Sequence, residues 1–187
     1  MVLKLVRIAV SGPPGSGKTT HAKRIADTYD LVYYSAGGIF RELARSRGLS
    51  LEELSLIALK DPSIDLEIDK RTFQLAHEDN VVLDGHLTAW IASDIVDFKI
   101  YITAPLKVRV ARIAARDNKP FEDALRETIV RESVQRRRFI EFYGIDPLDL
   151  SVFDLVIDTS KLGVEETFAI IKYSIDKFLK THKTANL

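Results

Sequence analysis

The chain has no cysteine in 187 residues, which excludes disulfides and thiolate metal ligands and fits a reducing cytoplasm. It has no excess of either charge, since lysine plus arginine and aspartate plus glutamate each number 27. No chain-wide positive field therefore draws nucleic acid nonspecifically, and any basic chemistry must be local. No apolar run approaches the roughly 18 residues that a membrane-spanning helix needs. The opening stretch MVLKLVRIAVSG passes directly into a glycine-rich motif, without room for a removable signal peptide. Amides are scarce too, with Asn80, Asn118, Asn186, Gln74 and Gln135 the whole set, a bias that accompanies thermophily. Repeats, low-complexity tracts and linkers are absent. A hydrophobic content of 46% over this length supports one well-buried core and falls short of two. The expectation is a single soluble, cytoplasmic domain spanning 1–187, a monomer with no membrane and no nucleic-acid partner.

Short apolar runs suited to buried parallel strands occur at Val6–Val10, Leu31–Tyr34, Val81–Leu83, Lys99–Ile102 and Asp154–Ile157. Between them lie segments of helical period. His21–Tyr29 carries Ala22, Ile25, Ala26 and Tyr29 on one face, and Glu166–Leu179 carries Phe168, Ile171, Ile175 and Phe178. Strand alternating with helix predicts an α/β fold whose parallel sheet is covered on both faces. The stretch 37–79 has no strand pattern and predicts three helices, separated by Gly48-Leu49-Ser50 and Asp61-Pro62. Ser50 with Glu53 forms a capping box at the second of them.

Gly12-Pro13-Pro14-Gly15-Ser16-Gly17-Lys18-Thr19 fits G-x-x-x-x-G-K-[ST] at every fixed position, after a strand and before a helix. Glycines permit the backbone angles that turn successive N–H groups inward, making an anion nest at a helix N-terminus. Lys18 is placed to reach the β- and γ-phosphates of ATP and the Thr19 hydroxyl to coordinate Mg²⁺, with Thr20 completing the turn. Asp84 ends the apolar run Val81-Val82-Leu83, where a Walker B acid holds the metal through water. A turn aspartate before Gly85 would have the same local pattern.

An N-K-x-D guanine signature is missing, because Asn118-Lys119 is followed by Pro120-Phe121. Small size and arginines concentrated in the second half suit a kinase that brings two phosphate groups face to face. Ser35-Ala36-Gly37-Gly38-Ile39-Phe40-Arg41 starts a helix with an arginine in its first turns. Such a start is either a second anion site, for an acceptor monophosphate, or a helix with a solvated arginine. Arg109, Arg112 and Arg116 share one helical stripe, and Arg131, Gln135 and Arg138 another. Each is either a phosphate-facing row or a solvated basic face. Asp65 and Asp69, one turn apart, either contact an acceptor nucleoside or form a solvated pair. Trp90 is expected as a packing anchor.

With GPPGSGKTT, SAGGIFRELA, DPSIDLEID, VVLDGHLTAW and the segment ESVQRRRFIEFYGIDPLDLSVFDLVIDTS, nearly the whole chain resembles the nucleoside monophosphate kinases, and among them the archaeal-type cytidylate kinases. The resemblance implies a P-loop NTPase three-layer α/β/α fold with a five-stranded parallel sheet of order 2-3-1-4-5. It also implies a helical acceptor-binding insertion at about 37–79 and a short lid at about 116–121. The implied reaction is ATP plus CMP or dCMP giving ADP and the diphosphate. Lys18, Arg112, Arg131 and Arg138 are implied as catalytic, Arg112 also toward ATP. Acceptor ligands would be Ser35, Gly37, Arg41, Asp69, Asp84, Gly85, His86, Arg131, Gln135 and Arg138. His86 stands where relatives commonly have arginine and is expected to be a weaker, pH-dependent phosphate ligand. Gly38 replaces a frequent acidic residue, and Gln135 an acidic group that meets the cytosine amino edge. A kinase of UMP, AMP or mixed acceptors, or a nucleotide-dependent switch or RNA-associated P-loop module, is the alternative.

Overall fold

The computed structural model describes residues 5–58 and 60–184. Five parallel strands, β1 (Arg7–Ser11), β2 (Val32–Ser35), β3 (Val81–Asp84), β4 (Phe98–Thr103) and β5 (Leu155–Asp158), form one sheet of order β2-β3-β1-β4-β5. This is the expected 2-3-1-4-5 arrangement. β1 lies at its centre, with Ile8 beside Val82 on one side and Phe98 on the other. Each strand extends one residue past the apolar run that marked it. Those added residues, among them Ser11, Ser35, Asp84 and Asp158, bring polar groups to the C-terminal edge of the sheet.

Alternation along β1 divides the interior. Ile8 and Val10 pack with Ile100, Ile102 and the inner faces of α1 (Lys18–Tyr29) and α8 (Val164–Thr184), through Ile25, Phe168, Ile171 and Ile175. Ala9 points to the opposite face and meets Val81, Leu83, Ala89 and Val96. A fully buried isoleucine such as Ile8, Ile25 or Ile171 contributes about 1.5–3 kcal/mol. Trp90 packs edge-on against Phe153 with ring centroids 4.9 Å apart, the expected anchor.

The stretch 37–79 folds as α2 (Ala36–Ser46), α3 (Leu51–Ala58) and α4 (Ser63–Ala76) around its own cluster of Ile39, Leu43, Leu54, Ile64 and Ile68. The Ser50 hydroxyl accepts from Glu53 N at 3.1 Å while the Glu53 carboxylate accepts from Ser50 N at 2.7 Å, closing the capping box. After β3 come the short α5 (Thr88–Ile91), then α6 (Leu106–Asp117) and the long α7 (Phe121–Tyr143), joined by a three-residue turn. The segment 116–121 is thus the end of α6, that turn and the start of α7. Asn118 adopts φ 50° to stop α6 and Gly144 φ 65° to stop α7, the left-handed cap that asparagine and glycine tolerate. No helix among the described residues is long and apolar enough to cross a membrane.

Candidate active site

β1 hands the chain to α1 through the glycine-rich turn. Gly12, Gly15 and Gly17 adopt φ 153°, 76° and 95°. A Cβ on Gly12 would lie 2.1 Å from the Ile102 carbonyl oxygen, and one on Gly15 2.6 Å from that of Arg109. The loop is therefore wedged between β4 and α6, and its shape requires glycine at both points. Gly17 caps α1 without a side-chain hydrogen bond, and no acidic residue stands in the first turn. The helix N-terminus is left as a concentration of unopposed N–H groups.

Around it opens a cavity of about 800 Å³ lined by Gly15–Thr20, Ser35, Gly37, Arg41, Asp84, Gly85, His86, Arg112, Arg116 and Arg131. Asp84, 4% exposed, accepts from Thr19 Oγ1 at 2.7 Å and from Tyr33 Oη at 2.8 Å through Oδ2. Its Oδ1 is buried with no hydrogen-bond partner among the described residues, as is Ser16 Oγ. Burial and the nearby Asp84 charge push the Tyr33 phenol up to about 12. An orphaned carboxylate oxygen beside a hydroxyl fits a hydrated divalent cation whose other ligands are phosphate oxygens. Burial holds Lys18 below its usual range, Asp84 opposes that shift, and Arg131, Arg116 and Arg109 add to it.

Ser35 caps α2, its hydroxyl accepting from Gly38 N at 2.9 Å. A Cβ on Gly38 would sit 2.9 Å from that hydroxyl, so glycine there accommodates the cap. Gly37 and Arg41 of α2 line the same cavity as Lys18. Gly85 is required by a close approach, since its Cβ would fall 2.2 Å from Thr88 Oγ1.

Of the three arginines implied as catalytic, two line this cavity and one does not. Arg131 lines the cavity with Lys18. Arg112 lines it too, beside the glycine loop, donating to Thr159 Oγ1 at 2.8 Å, to Thr159 O at 2.9 Å and toward the Gly15 and Ser16 carbonyls at 3.4 Å. Arg138 is outside that cavity, paired across to Asp65 on α4. Asp69 is likewise tied up, accepting from Tyr143 Oη at the end of α7. Burial raises the Asp69 carboxyl to about 6, against the opposing Tyr143 hydrogen bond. Asp65 and Asp69 therefore bridge the insertion to α7 and are not a solvated pair.

Gln135 lines a second cavity of about 740 Å³ with Gly12, Pro13 and Tyr101, and Pro14 and His86 border both spaces. His86 was expected as a pH-dependent phosphate ligand. Burial, then the positive charges of Lys18, Arg131 and Arg109, hold its imidazole well below the usual histidine range. The shift favours the neutral form of the imidazole.

Residues that the sequence reading did not place in the site also matter. Arg109, 7% exposed, donates to Ala104 O at 2.8 Å, to Pro14 O at 3.1 Å and to the Glu132 carboxylate. It joins β4, the glycine loop and α7, and Glu132 is the neighbour of Arg131. Its carboxylate partner 23 residues away carries no local sequence signal. Tyr33 was legible only as a strand residue, and Arg116 only as part of a stripe.

A phosphate nest, a lysine at its mouth, a strand-end carboxylate and facing arginines on a 2-3-1-4-5 sheet define a P-loop phosphotransferase. Solved structures agree on the fold. Shikimate kinase from Bacteroides thetaiotaomicron superposes with a TM-score of 0.63 at 15% identity, covering 96% of this chain and 99% of that one. The model of the cytidylate kinase-like family matches residues 7–161. The cytidylate kinase of Staphylothermus marinus is 66% identical over 94% of this chain and 99% of its own length. That of Desulfurococcus amylolyticus is 63% identical over 94% and 96%. The chain belongs to the cytidylate kinase-like family: it is a phosphotransferase acting on nucleoside monophosphates, and cytidylate kinase activity follows from that membership.

Proposed function

We propose that the chain transfers the γ-phosphoryl of ATP, with Mg²⁺ bound, to CMP or dCMP in the cytoplasm. The observation that carries this reading is that one cavity is lined by the bare N-terminus of α1, by Lys18, and by Gly37 and Arg41 of α2. The loop N–H groups and Lys18 hold the donor phosphates, and Arg41 with the N-terminus of α2 holds the acceptor phosphate. Thr19 and, through water, Asp84 would hold the metal. When bound, it would neutralise charge between the β- and γ-phosphates.

A phosphate monoester loses its second proton near pH 6, so the acceptor oxygen is already nucleophilic at neutral pH and needs no general base. That oxygen bonds to the γ-phosphorus while the bond to the β–γ bridging oxygen breaks, and ADP departs with the electron pair. Arg131 stabilises the charge on the transferring group. Arg112 supports the donor from its seat on Thr159, while Arg138, Asp69 and Gln135 lie on the acceptor-nucleoside side. Closure of the insertion and of the α6–α7 turn over the cleft excludes water as a competing acceptor.

The test is ADP release from ATP·Mg²⁺ with CMP, dCMP, UMP, AMP and GMP offered separately. Preference for CMP and dCMP is expected. A UMP- or AMP-led profile would replace the base assignment, and turnover stimulated by RNA but by no mononucleotide would replace the kinase reading.

A further inference from the structure

Two hydroxyls hold Asp84, both through Oδ2: Thr19 Oγ1 at 2.7 Å from the start of α1 and Tyr33 Oη at 2.8 Å from β2. They are the only hydrogen-bond partners of this side chain among the described residues. An ionised carboxylate accepts and cannot donate, so both hydroxyl protons point at Asp84. Thr19 is exposed and lines the main cavity. Having given its one proton to Asp84, it can present only lone pairs to the cavity, which is what a cation requires of a hydroxyl. Asp84 therefore fixes the sense of the threonine hydroxyl as well as bringing negative charge to the sheet edge.

The Thr19 bond alone does not fix Asp84 in return, because a hydroxyl turns about its C–O bond to follow its acceptor. Tyr33 supplies the second restraint, from a different element. β2 and β3 run parallel with Tyr33 beside Val82 and Ser35 beside Asp84, so the phenol reaches Asp84 by leaning along the sheet toward its C-terminal edge. Its ring packs on the core cluster that contains Val82 and Ile25, with the Lys23 ammonium 5.7 Å from the ring centroid. A ring seated on the core has little freedom, and its hydroxyl marks one position for Oδ2. Tyr33 also lines the main cavity.

We propose that Tyr33 is a positioning residue for the donor's metal: its hydroxyl holds Asp84 in the orientation from which the carboxylate turns the Thr19 lone pairs into the cavity. The inference rests on the placement of the metal at Thr19 and Asp84 proposed above. Tyr33 acts at one remove, through a carboxylate that itself reaches the ion through water, as partners behind metal ligands do. Loss of its hydroxyl therefore leaves the donor phosphates seated and weakens only what the ion adds to binding.

The probe is adenylyl imidodiphosphate, an ATP analogue that does not transfer its γ-phosphoryl, titrated calorimetrically with excess Mg²⁺ and again with EDTA. The ratio of the two affinities reports what the protein's metal ligands contribute. Tyr33→Phe keeps the ring on the core and removes Oη alone. It should lower the ratio about tenfold, the low end for a residue behind a metal ligand, with the metal-free affinity unchanged. In the Asp84→Asn protein the ratio should already be low, and adding Tyr33→Phe should lower it no further. If Asp84→Asn lowers the ratio and Tyr33→Phe does not, the proposal is overturned and the metal placement stands. If neither lowers it, both are overturned. A Tyr33→Phe loss as large in the Asp84→Asn protein as in the wild type would also overturn the proposal, by showing that the phenol acts directly or through packing.

Discussion

Arg109 and Glu132 offer the sharpest perturbation. The Arg109 side chain keeps 9% of its surface and Glu132 29%, and the guanidinium also satisfies the Ala104 and Pro14 carbonyls. Breaking a fully buried ion pair by removing one partner costs about 3–5 kcal/mol. Glu132→Ala should fall below that range, because water enters the space the carboxylate leaves and two of the arginine's partners remain. We expect about 2–3 kcal/mol, which for a chain of this size lowers Tm by roughly 5–10 °C. Arg109→Met should cost more in function than in stability, since the freed carboxylate is already partly hydrated while the Pro14 carbonyl loses its tether and the glycine loop its support. Thermal unfolding by circular dichroism gives the first quantity, and steady-state kinetics with ATP varied gives the second. A Glu132→Ala melting point within about 1 °C of wild type would refute the reasoning, because an intact clamp cannot be lost without that cost.

Asp69, folded, keeps its proton to about pH 6, whereas the unfolded chain releases it near 4. The carboxyl therefore costs stability increasingly as pH rises from about 4 to 6, by up to about 3 kcal/mol at neutrality. Asp69→Asn should be the more stable protein at neutral pH and equal to wild type at or below about pH 4, and urea midpoints that differ equally at both would count against it. Gly12→Ala, with its Cβ 2.1 Å from a backbone oxygen, should lose ATP binding and most soluble expression. Gly48→Ala, which meets nothing within 4 Å at φ 67°, should cost only about 1–2 kcal/mol. Arg41→Ala should raise the acceptor KM by roughly 10- to 100-fold, the worth of a charge-assisted hydrogen bond, with calorimetric ATP affinity unchanged. Lys18→Met should abolish turnover yet melt no lower than wild type without nucleotide, and a lower melting point would show that the lysine supports the resting fold.

The fold was legible because its signals are local. Apolar runs gave the strands to within a residue, the period of Phe168, Ile171 and Ile175 gave the core face of α8, and Ser50 with Glu53 marked a helix start. The glycine loop was legible for the same reason, eight consecutive residues carrying a geometry. Sheet order came from resemblance, because no local property of β4 says which neighbour it takes. The rest of the site depends on contacts between distant elements. Arg109 and Arg112 share a helical stripe, yet one is buried against Glu132 and the other pinned to Thr159 from the loop after β5. Asp65 and Asp69 resemble a solvated pair until α7 brings Arg138 and Tyr143 against them. The setting of His86 was not legible because a histidine's charge depends on its neighbours, and Lys18, Arg131 and Arg109 approach it only in the folded chain.

The balanced formal charge conceals an uneven distribution that bears on how such a site works. Arg116 pairs with Asp117, whereas Lys18 and Arg131 line one cavity and are each held below their usual range, mainly by burial. Concentrating cations this way destabilises the resting protein, and the same charges lower the His86 imidazole. Bound phosphates reverse the sign of the local field, so the lysine becomes easier to protonate as the donor arrives. The same charges that repel one another before binding then stabilise a transferring group that carries negative charge on every oxygen.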